Sequence, residues 1–461
     1  MRNWSWCAPP PAIRCWSRAR RTIHCSIQFS PAIPHLGSSA LNPQRQAATT
    51  STASPVAEPG RGSLRLKPLA VLVMAFLLGA MVVFVFAIAF EVRWAHGIRF
   101  ALNTTRTMPE GDFANLWAAG KLAASGRTDT LYSSYLFELW RRAYFGARII
   151  TTDWIYPPFN LLLAVPMSWM GLRTSYIVWT LLSVLGSAFL LRLVRLSWPV
   201  ILLGIFSPAS IYSMMLGQYG TLVGAAFVAS LLAAPRRPPL SGGLTAIMIL
   251  KPQIALLIPI VWLAQRNARA IAMACTITAV LAALVTLSFG PSVWSNFWAN
   301  APANSRGILE DIYPQGYQTI GVSIFWMARS LGSNLAVAYT AQIISAGLAT
   351  IMVWHVWRTQ SVNPLARMAI TVFLTLLCSP YGYVDDMAGY SIALLCLAEQ
   401  RDWRIGFLDV LLFTWPGLCL LTTSLIHILL TPILLLCAAV MALRLLQQPV
   451  DLIRESHARV A

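Results

Sequence analysis

Apolar residues in this chain come in long runs broken by short polar loops. Residues 69–90 form an uninterrupted run, enough helix to cross about 30 Å of hydrocarbon. Further runs follow at 156–170, 174–194, 199–215, 219–234, 240–264, 269–289, 335–357, 366–379, 384–397, 405–421 and 425–443. The pattern predicts an all-α integral membrane protein, a polytopic helical bundle of twelve spans. Two longer polar segments interrupt it, 91–155 and 290–318.

The first of these segments carries two shorter amphipathic patterns. One begins at Asp112 and sets Phe113, Leu116 and Trp117 on one face at i, i+3 and i+4. An acid in a first helical turn suits the helix dipole, and it also caps, so Asp112 reads equally as a cap or as a chemical group. The stretch 110–132 is the longest water-facing segment predicted, and the rest of the chain is expected to organise around it. The second pattern, 132–145, has Tyr135, Leu136, Leu139 and Trp140 as its greasy stripe. Both helices are expected to lie in the membrane interface rather than cross it.

Composition agrees with solvation by lipid. Of 461 residues 57% are hydrophobic and 11% charged, against about 25% charged in soluble chains. The net charge of +18 is mostly arginine, because Lys67, Lys121 and Lys251 are the only lysines. The arginines sit in short loops between apolar runs, which is the positive-inside signature of a membrane protein and argues against nucleic acid as a partner. Arg61, Arg65 and Lys67 place the start of the first span in the cytoplasm, and Arg266, Arg269, Arg358, Arg401, Arg404 and Arg444 mark the same side. Both termini are then cytoplasmic, and 91–155, 290–318 and 379–386 face the periplasm of a bacterial inner membrane.

Between 156 and 264 two arrangements satisfy the pattern. Either 240–264 is one broken span with Lys251 deep inside it, or Lys251-Pro252-Gln253 is the tip of a short hairpin. In the hairpin arrangement Arg236 and Arg237 are cytoplasmic and one segment between 156 and 234 fails to cross. Segment length favours the first, since 11–12 residues of helix cover only about 18 Å; charge bias favours the second.

Residues 1–65 differ from the rest, being rich in Pro, Ser, Thr, Ala and Arg. They lack the apolar core of a secretory signal and read as a disordered cytoplasmic tail, with an upstream start codon as the alternative. The domain reading is thus a tail, a transmembrane domain over 66–445, and a second cytoplasmic tail over 446–461. The eight cysteines show no metal spacing and no disulfide framework.

Candidate chemistry gathers in four places: Asp112; Tyr156-Pro157-Pro158; Lys251-Pro252-Gln253; and Ser379-Pro380-Tyr381-Gly382-Tyr383-Val384-Asp385-Asp386. A charge within an apolar run is costly and points to function. Lys251, with no charged neighbour in sequence, reads as a lone ammonium suited to a lipid phosphate, or else as a snorkelling or ion-paired lysine. Asp385 and Asp386 beside two tyrosines resemble a sugar-binding rim. Trp294, Asn296, Trp298, Asn300, Asn304 and Tyr317 add aromatic and amide groups that fit a carbohydrate or a membrane-interface belt. Phosphate-loop, dinucleotide and zinc-protease motifs are absent from the sequence, and so is a DxD pair. An enzyme of this kind acting on sugars is expected to use a lipid-linked donor, with no cofactor and no metal.

The chain resembles glycosyltransferase family 87, the polyprenol-phosphate-mannose-dependent α-mannosyltransferase-like membrane proteins. Gly111-Asp112-Phe113 through Trp117, Ala119-Gly120, Leu131-Tyr132, Tyr156-Pro157-Pro158-Phe159 with Pro166, Gly217-Gln218-Tyr219, Gly242-Gly243 through Lys251-Pro252-Gln253, and Ser379-Pro380-Tyr381 carry the resemblance, in the family's order. Ser133 departs from it, standing where the family often has an acid. The resemblance implies a C-type glycosyltransferase fold, with Asp112 as catalytic base and Lys251 on the donor phosphate. It implies transfer of a hexose, typically mannose, from polyprenyl phosphate to a glycan or glycolipid acceptor, with inversion. Tyr156, Gln218, Gln253, Tyr381, Asp385 and Asp386 are the candidates for holding sugar or acceptor. The rival reading is a transporter or lipid flippase, against which stand the long polar loop and the lack of an inverted repeat.

Overall fold

A computed structural model describes residues 64–65, 70, 112–145, 153–359 and 362–446. The first predicted span, both tails, and 91–111 and 146–152 of the first large loop lie outside the described residues.

The architecture is all-helical apart from one two-residue strand pair. Three helices open the described region: α1 (Asp112–Ala124), α2 (Thr128–Tyr132) and α3 (Ser134–Phe145). A short α4 (Leu161–Trp169) leads to α5 (Leu172–Leu193), then to α6 (Trp198–Ile205) and α7 (Pro208–Leu216), which together make one apolar rod bent by 48°. Pro208 at the start of α7 explains the break, since its ring cannot continue the preceding helix. After α8 (Gly220–Ala233) come α9 (Pro238–Gly243), α10 (Thr245–Met248) and α11 (Ile258–Ala264), all short, and then the long α12 (Ala268–Phe289). The chain continues through α13 (Ser292–Glu310), α14 (Ile324–Ser330), α15 (Leu335–Arg358), α16 (Pro364–Cys378), α17 (Ala388–Gln400), α18 (Phe407–Ile426) and α19 (Thr431–Leu445). Strand β1 (Leu64–Arg65) pairs antiparallel with β2 (Arg404–Ile405).

Among the described residues, α5, α12 and α15 are each long and apolar enough to cross a membrane, and the bent α6–α7 pair makes a fourth. Their outward faces carry Leu185, Phe189, Leu287, Ile343 and Leu348, all exposed, as lipid-facing positions should be. The shorter helices sit inside. Helices α8, α16 and α17 are buried on almost every side, and α8 and α17 approach backbone to backbone at Gly224 and Gly389. A Cβ on Gly224 would lie 2.6 Å from the Gly389 nitrogen, so two small residues set this crossing.

Loop contacts sort the helix ends into two groups. At one end, Asn296 donates to Thr128 at 3.4 Å, Tyr132 packs edge-on against Phe297, and Gly321 bridges Tyr383. The described part of 91–155 thus contacts 290–318, and Gly321 just beyond that segment joins it to 379–386. At the other end, Asn363 reaches the Leu446 carbonyl and Arg65 pairs with Arg404.

The same contacts decide the middle of the chain. Asn267 donates to the Ala234 carbonyl at 2.9 Å, so the segment between them leaves and returns at one place. It is a hairpin with Lys251 at its tip, not a single broken span. The short α4, whose nine residues reach about 14 Å, lies along α1.

One interfacial expectation needs correction. Helix α1 is not a water-facing platform: its stripe is buried, but so are Ala114, Ala118, Ala119 and Gly120 on the other side. The reason is its small residues, since a Cβ on Gly120 would lie 2.0 Å from the Ala164 carbonyl oxygen of α4. Helix α3 keeps its predicted stripe on the outside. Tyr135, 69% exposed, Leu136 and Leu139 face outward, while Phe137, Arg141 and Phe145 are buried. An interfacial helix gives its greasy stripe to lipid, which leaves the opposite face for the protein.

Candidate active site

Gln218 is the hub of the polar centre. It follows Gly217, which ends α7 in the left-handed region at φ +69° and lies against Phe113, leaving no room for a Cβ. Two side chains of α5 hold this turn: Tyr176 donates to the Met214 carbonyl at 2.7 Å and Trp179 to the Gly217 carbonyl at 3.0 Å. From that position the Gln218 amide nitrogen donates to Asp112 Oδ2. Its amide oxygen accepts from Tyr156 at 3.1 Å and from Lys251 Nζ at 3.3 Å.

Asp112 is thereby brought to the centre by α1, which Gly120 and the Trp117 bond to the Met170 carbonyl fix against α4. Burial raises the Asp112 carboxyl above its ordinary value, and the bond from Gln218 works in the opposite direction. A carboxyl whose hold on its proton is strengthened in this way, with an amide donor to orient it, has the properties of a general base.

Lys251 is not the lone ammonium that its sequence surroundings suggest. Its side chain is 4% exposed, and its Nζ lies 2.6 Å from Asp385 Oδ2 and also pairs with Asp386. The two aspartates are likewise buried and form no open rim. Their loop is clamped in place: the Tyr383 N–H donates to Asp386 at 3.2 Å, the Val322 N–H donates to the Gly382 carbonyl, and a Cβ on Gly220 would lie 1.8 Å from the Asp385 carbonyl oxygen. Three carboxylates thus meet one ammonium in a buried space.

Five of the expected site residues come together around Gln218: Asp112, Tyr156, Lys251, Asp385 and Asp386. Gln253 and Tyr381 do not take part in this network. Gln253 is half-buried on the turn Pro252–Ala255, and Tyr381 packs with Tyr339 and Trp326 in a second aromatic cluster. The segment 290–318 is mainly the helix α13, and its polar groups bond locally. Trp294 donates to Thr286, Asn300 donates to the Asn296 carbonyl, and Tyr317 donates to the Ile308 carbonyl.

Sequence reading missed three residues. Asn160 donates to the Leu250 carbonyl at 3.1 Å and so fixes the approach to Lys251. Tyr219 packs edge-on between Tyr156 and Trp179. Arg141, 3% exposed and 5.3 Å over the Phe137 ring, interacts electrostatically with Asp112, and burial pushes its guanidinium down to about 10. Two of them had left a signal: Tyr219 stands in the stretch Gly217-Gln218-Tyr219, and Arg141 is a basic residue four positions after Phe137 and four before Phe145. Among the described residues, three or more His, Cys, Asp or Glu side chains nowhere gather in a metal-holding arrangement.

Comparison with known families places this centre. Residues 154–380 match the family model of glycosyltransferase family 87. This match supports assignment of the chain to glycosyltransferase family 87. Together with the apolar helices, the match supports a membrane glycosyltransferase, an enzyme class that uses a sugar donor and an acceptor. The matched stretch contains Tyr156, Gln218 and Lys251, whereas Asp112, Asp385 and Asp386 lie outside it. No curated protein and no solved structure matches the chain.

Proposed function

We propose that the protein transfers a hexose, mannose in the first instance, from polyprenyl phosphate to a hydroxyl of a glycan or glycolipid. The observation that carries this reading is the Asp112–Gln218 contact, a buried carboxyl oriented by an amide within an otherwise apolar bundle. Asp112 removes the acceptor proton as that oxygen attacks the anomeric carbon from the face opposite the phosphate. The carbon–oxygen bond to the phosphate breaks, its electron pair leaves with polyprenyl phosphate, and the configuration inverts. A lipid-linked donor suits a site whose entrance helices present Tyr135, Leu136 and Leu139 outward.

Lys251 supplies inside the protein the positive charge that a metal would otherwise bring to Asp385 and Asp386, which supports a metal-independent reaction. Because two carboxylates already hold that ammonium, we assign Lys251 to keeping them in place rather than to clamping the phosphate alone. Arg141 is the cation we assign to the phosphate, since a guanidinium fork matches phosphate oxygens. The site is read as facing the periplasm across a bacterial inner membrane.

The test is release of polyprenyl phosphate by purified protein given polyprenyl-phosphate-mannose and candidate acceptors. Acceptor-dependent release that survives EDTA is expected. Release only from a nucleotide sugar, or activity lost to EDTA and restored by magnesium or manganese, would overturn the proposal.

A further inference from the structure

Tyr219 is the buried group in this centre that the proposed mechanism leaves unused. Its side chain is 3% exposed, and its hydroxyl has no hydrogen-bond partner among the described residues. The ring is fixed by edge contacts, 5.4 Å from Tyr156 and 5.5 Å from Trp179 between centroids. The hydroxyl is close enough to Tyr156, Lys251 and Asp112 to interact electrostatically with each. Two further buried atoms at the same centre also lack partners, Ser213 Oγ and Asn160 Oδ1. Ser213 Oγ lies beside Gly220, which touches the Asp385 backbone, and Asn160 is bonded to the residue before Lys251.

A buried polar atom without a partner is unfavourable, and phenylalanine would fill the same space without that cost. A hydroxyl held there among charged groups is therefore a group awaiting a ligand. The charges favour one kind of ligand. Asp112, Asp385 and Asp386 outnumber the cations near them, Lys251 and Arg141, and Lys251 is already held by two of the three, so a further anion gains little there, whereas a neutral polyol finds acceptors and donors on several sides.

We infer that the Tyr219 hydroxyl binds a hydroxyl of a hexose ring, and that this centre is the sugar subsite rather than the phosphate subsite. The inference rests on the transferase reading of the same site. The hexose comes either from the lipid-linked donor or from the acceptor glycan, and the two are separable by experiment.

Tyr219→Phe removes one oxygen and leaves the ring packing intact. Binding of polyprenyl-phosphate-mannose and of a mannosyl acceptor would be measured on wild type and variant in nanodiscs, together with turnover and thermal unfolding. The expected result is roughly tenfold weaker binding of one of the two ligands, the loss of one hydrogen bond, with unfolding temperature unchanged or raised. The ligand affected identifies whose hexose occupies the subsite. A monodeoxy sugar lacking the contacted hydroxyl should bind wild type and variant alike. Unchanged affinity for both ligands in a wild type that binds and turns over would overturn the inference alone. A wild type that binds neither would overturn it together with the transferase reading. A wild type that binds but does not transfer, paired with a weaker-binding variant, would support the sugar subsite and remove the transfer step.

Discussion

Lys251 and Asp385 stand 134 positions apart in the chain and 2.6 Å apart in the fold, both nearly inaccessible to solvent. The hairpin tip and the loop after α16 are thus joined by a buried charge pair, with Asp386 on the same ammonium. Breaking a buried pair from one side leaves an uncompensated charge, at a cost of about 3–5 kcal/mol. Lys251→Met should therefore lower the unfolding temperature as well as turnover. Adding Asp385→Asn and Asp386→Asn should recover the stability but not the activity. A Lys251→Met protein that melts like wild type and loses only donor affinity would show that the lysine serves the phosphate after all.

Asp112→Asn keeps an oxygen for the Gln218 amide to bond but removes the proton acceptor. Turnover should fall by roughly 10²–10⁴-fold while donor affinity stays close to wild type. Near-normal turnover in a folded Asp112→Asn protein would move the base elsewhere, with Asp385 or Asp386 the next candidates.

The same carboxyl sets a pH dependence. Burial raises Asp112 above its ordinary value of 3.8, so the folded state holds its proton more tightly than the unfolded chain does. Its contribution to stability is then present below the unfolded value and is lost as pH rises through the folded value. Turnover runs the other way, because a base works ionised, and its acid limb should lie above the usual carboxylate range. In thermal unfolding, Asp112→Asn should gain on wild type as pH rises from about 4 to 7. A difference that is flat across that interval would mean Asp112 is not buried as described.

Gly220→Ala tests the close approach beneath Asp385. A methyl group there would meet the Asp385 carbonyl oxygen at 1.8 Å, and that oxygen belongs to backbone. A loss of about 1–3 kcal/mol in stability is expected, with reduced turnover as the aspartate loop is displaced. Gly126→Ala serves as a control for space: it meets nothing nearby, although its φ of +74° adds strain of its own.

Cysteine labelling tests the hairpin. In a background without native cysteines, Arg236→Cys and Ala268→Cys should react from the same side of the membrane, and Ser125→Cys from the other. Labelling of Arg236→Cys and Ala268→Cys from opposite sides would restore the single broken span.

The sequence by itself determined the class of molecule and where to look. Apolar runs of spanning length and a low charge content leave a helical membrane protein as the physical solution, since unpaired backbone is not tolerated in hydrocarbon. Arginine placement suggested a common side for the loops at 91–155, 290–318 and 379–386, and the fold brings Asn296 to Thr128 and Gly321 to Tyr383. Asp112, Tyr156, Gln218, Lys251, Asp385 and Asp386 could each be singled out as polar groups in costly surroundings. Their partnership could not, because ion pairs and hydrogen bonds spanning 106 and 134 positions leave no local periodicity. Tertiary structure decided that Lys251 is neutralised, that 240–264 turns back on itself, and that α3 buries Arg141 while showing its greasy stripe to the outside. A hydrophobic stripe in a soluble protein points inward, but at a membrane surface it points to lipid. The pattern is the same in both cases, and only packing against α1 and its neighbours determines which face is which.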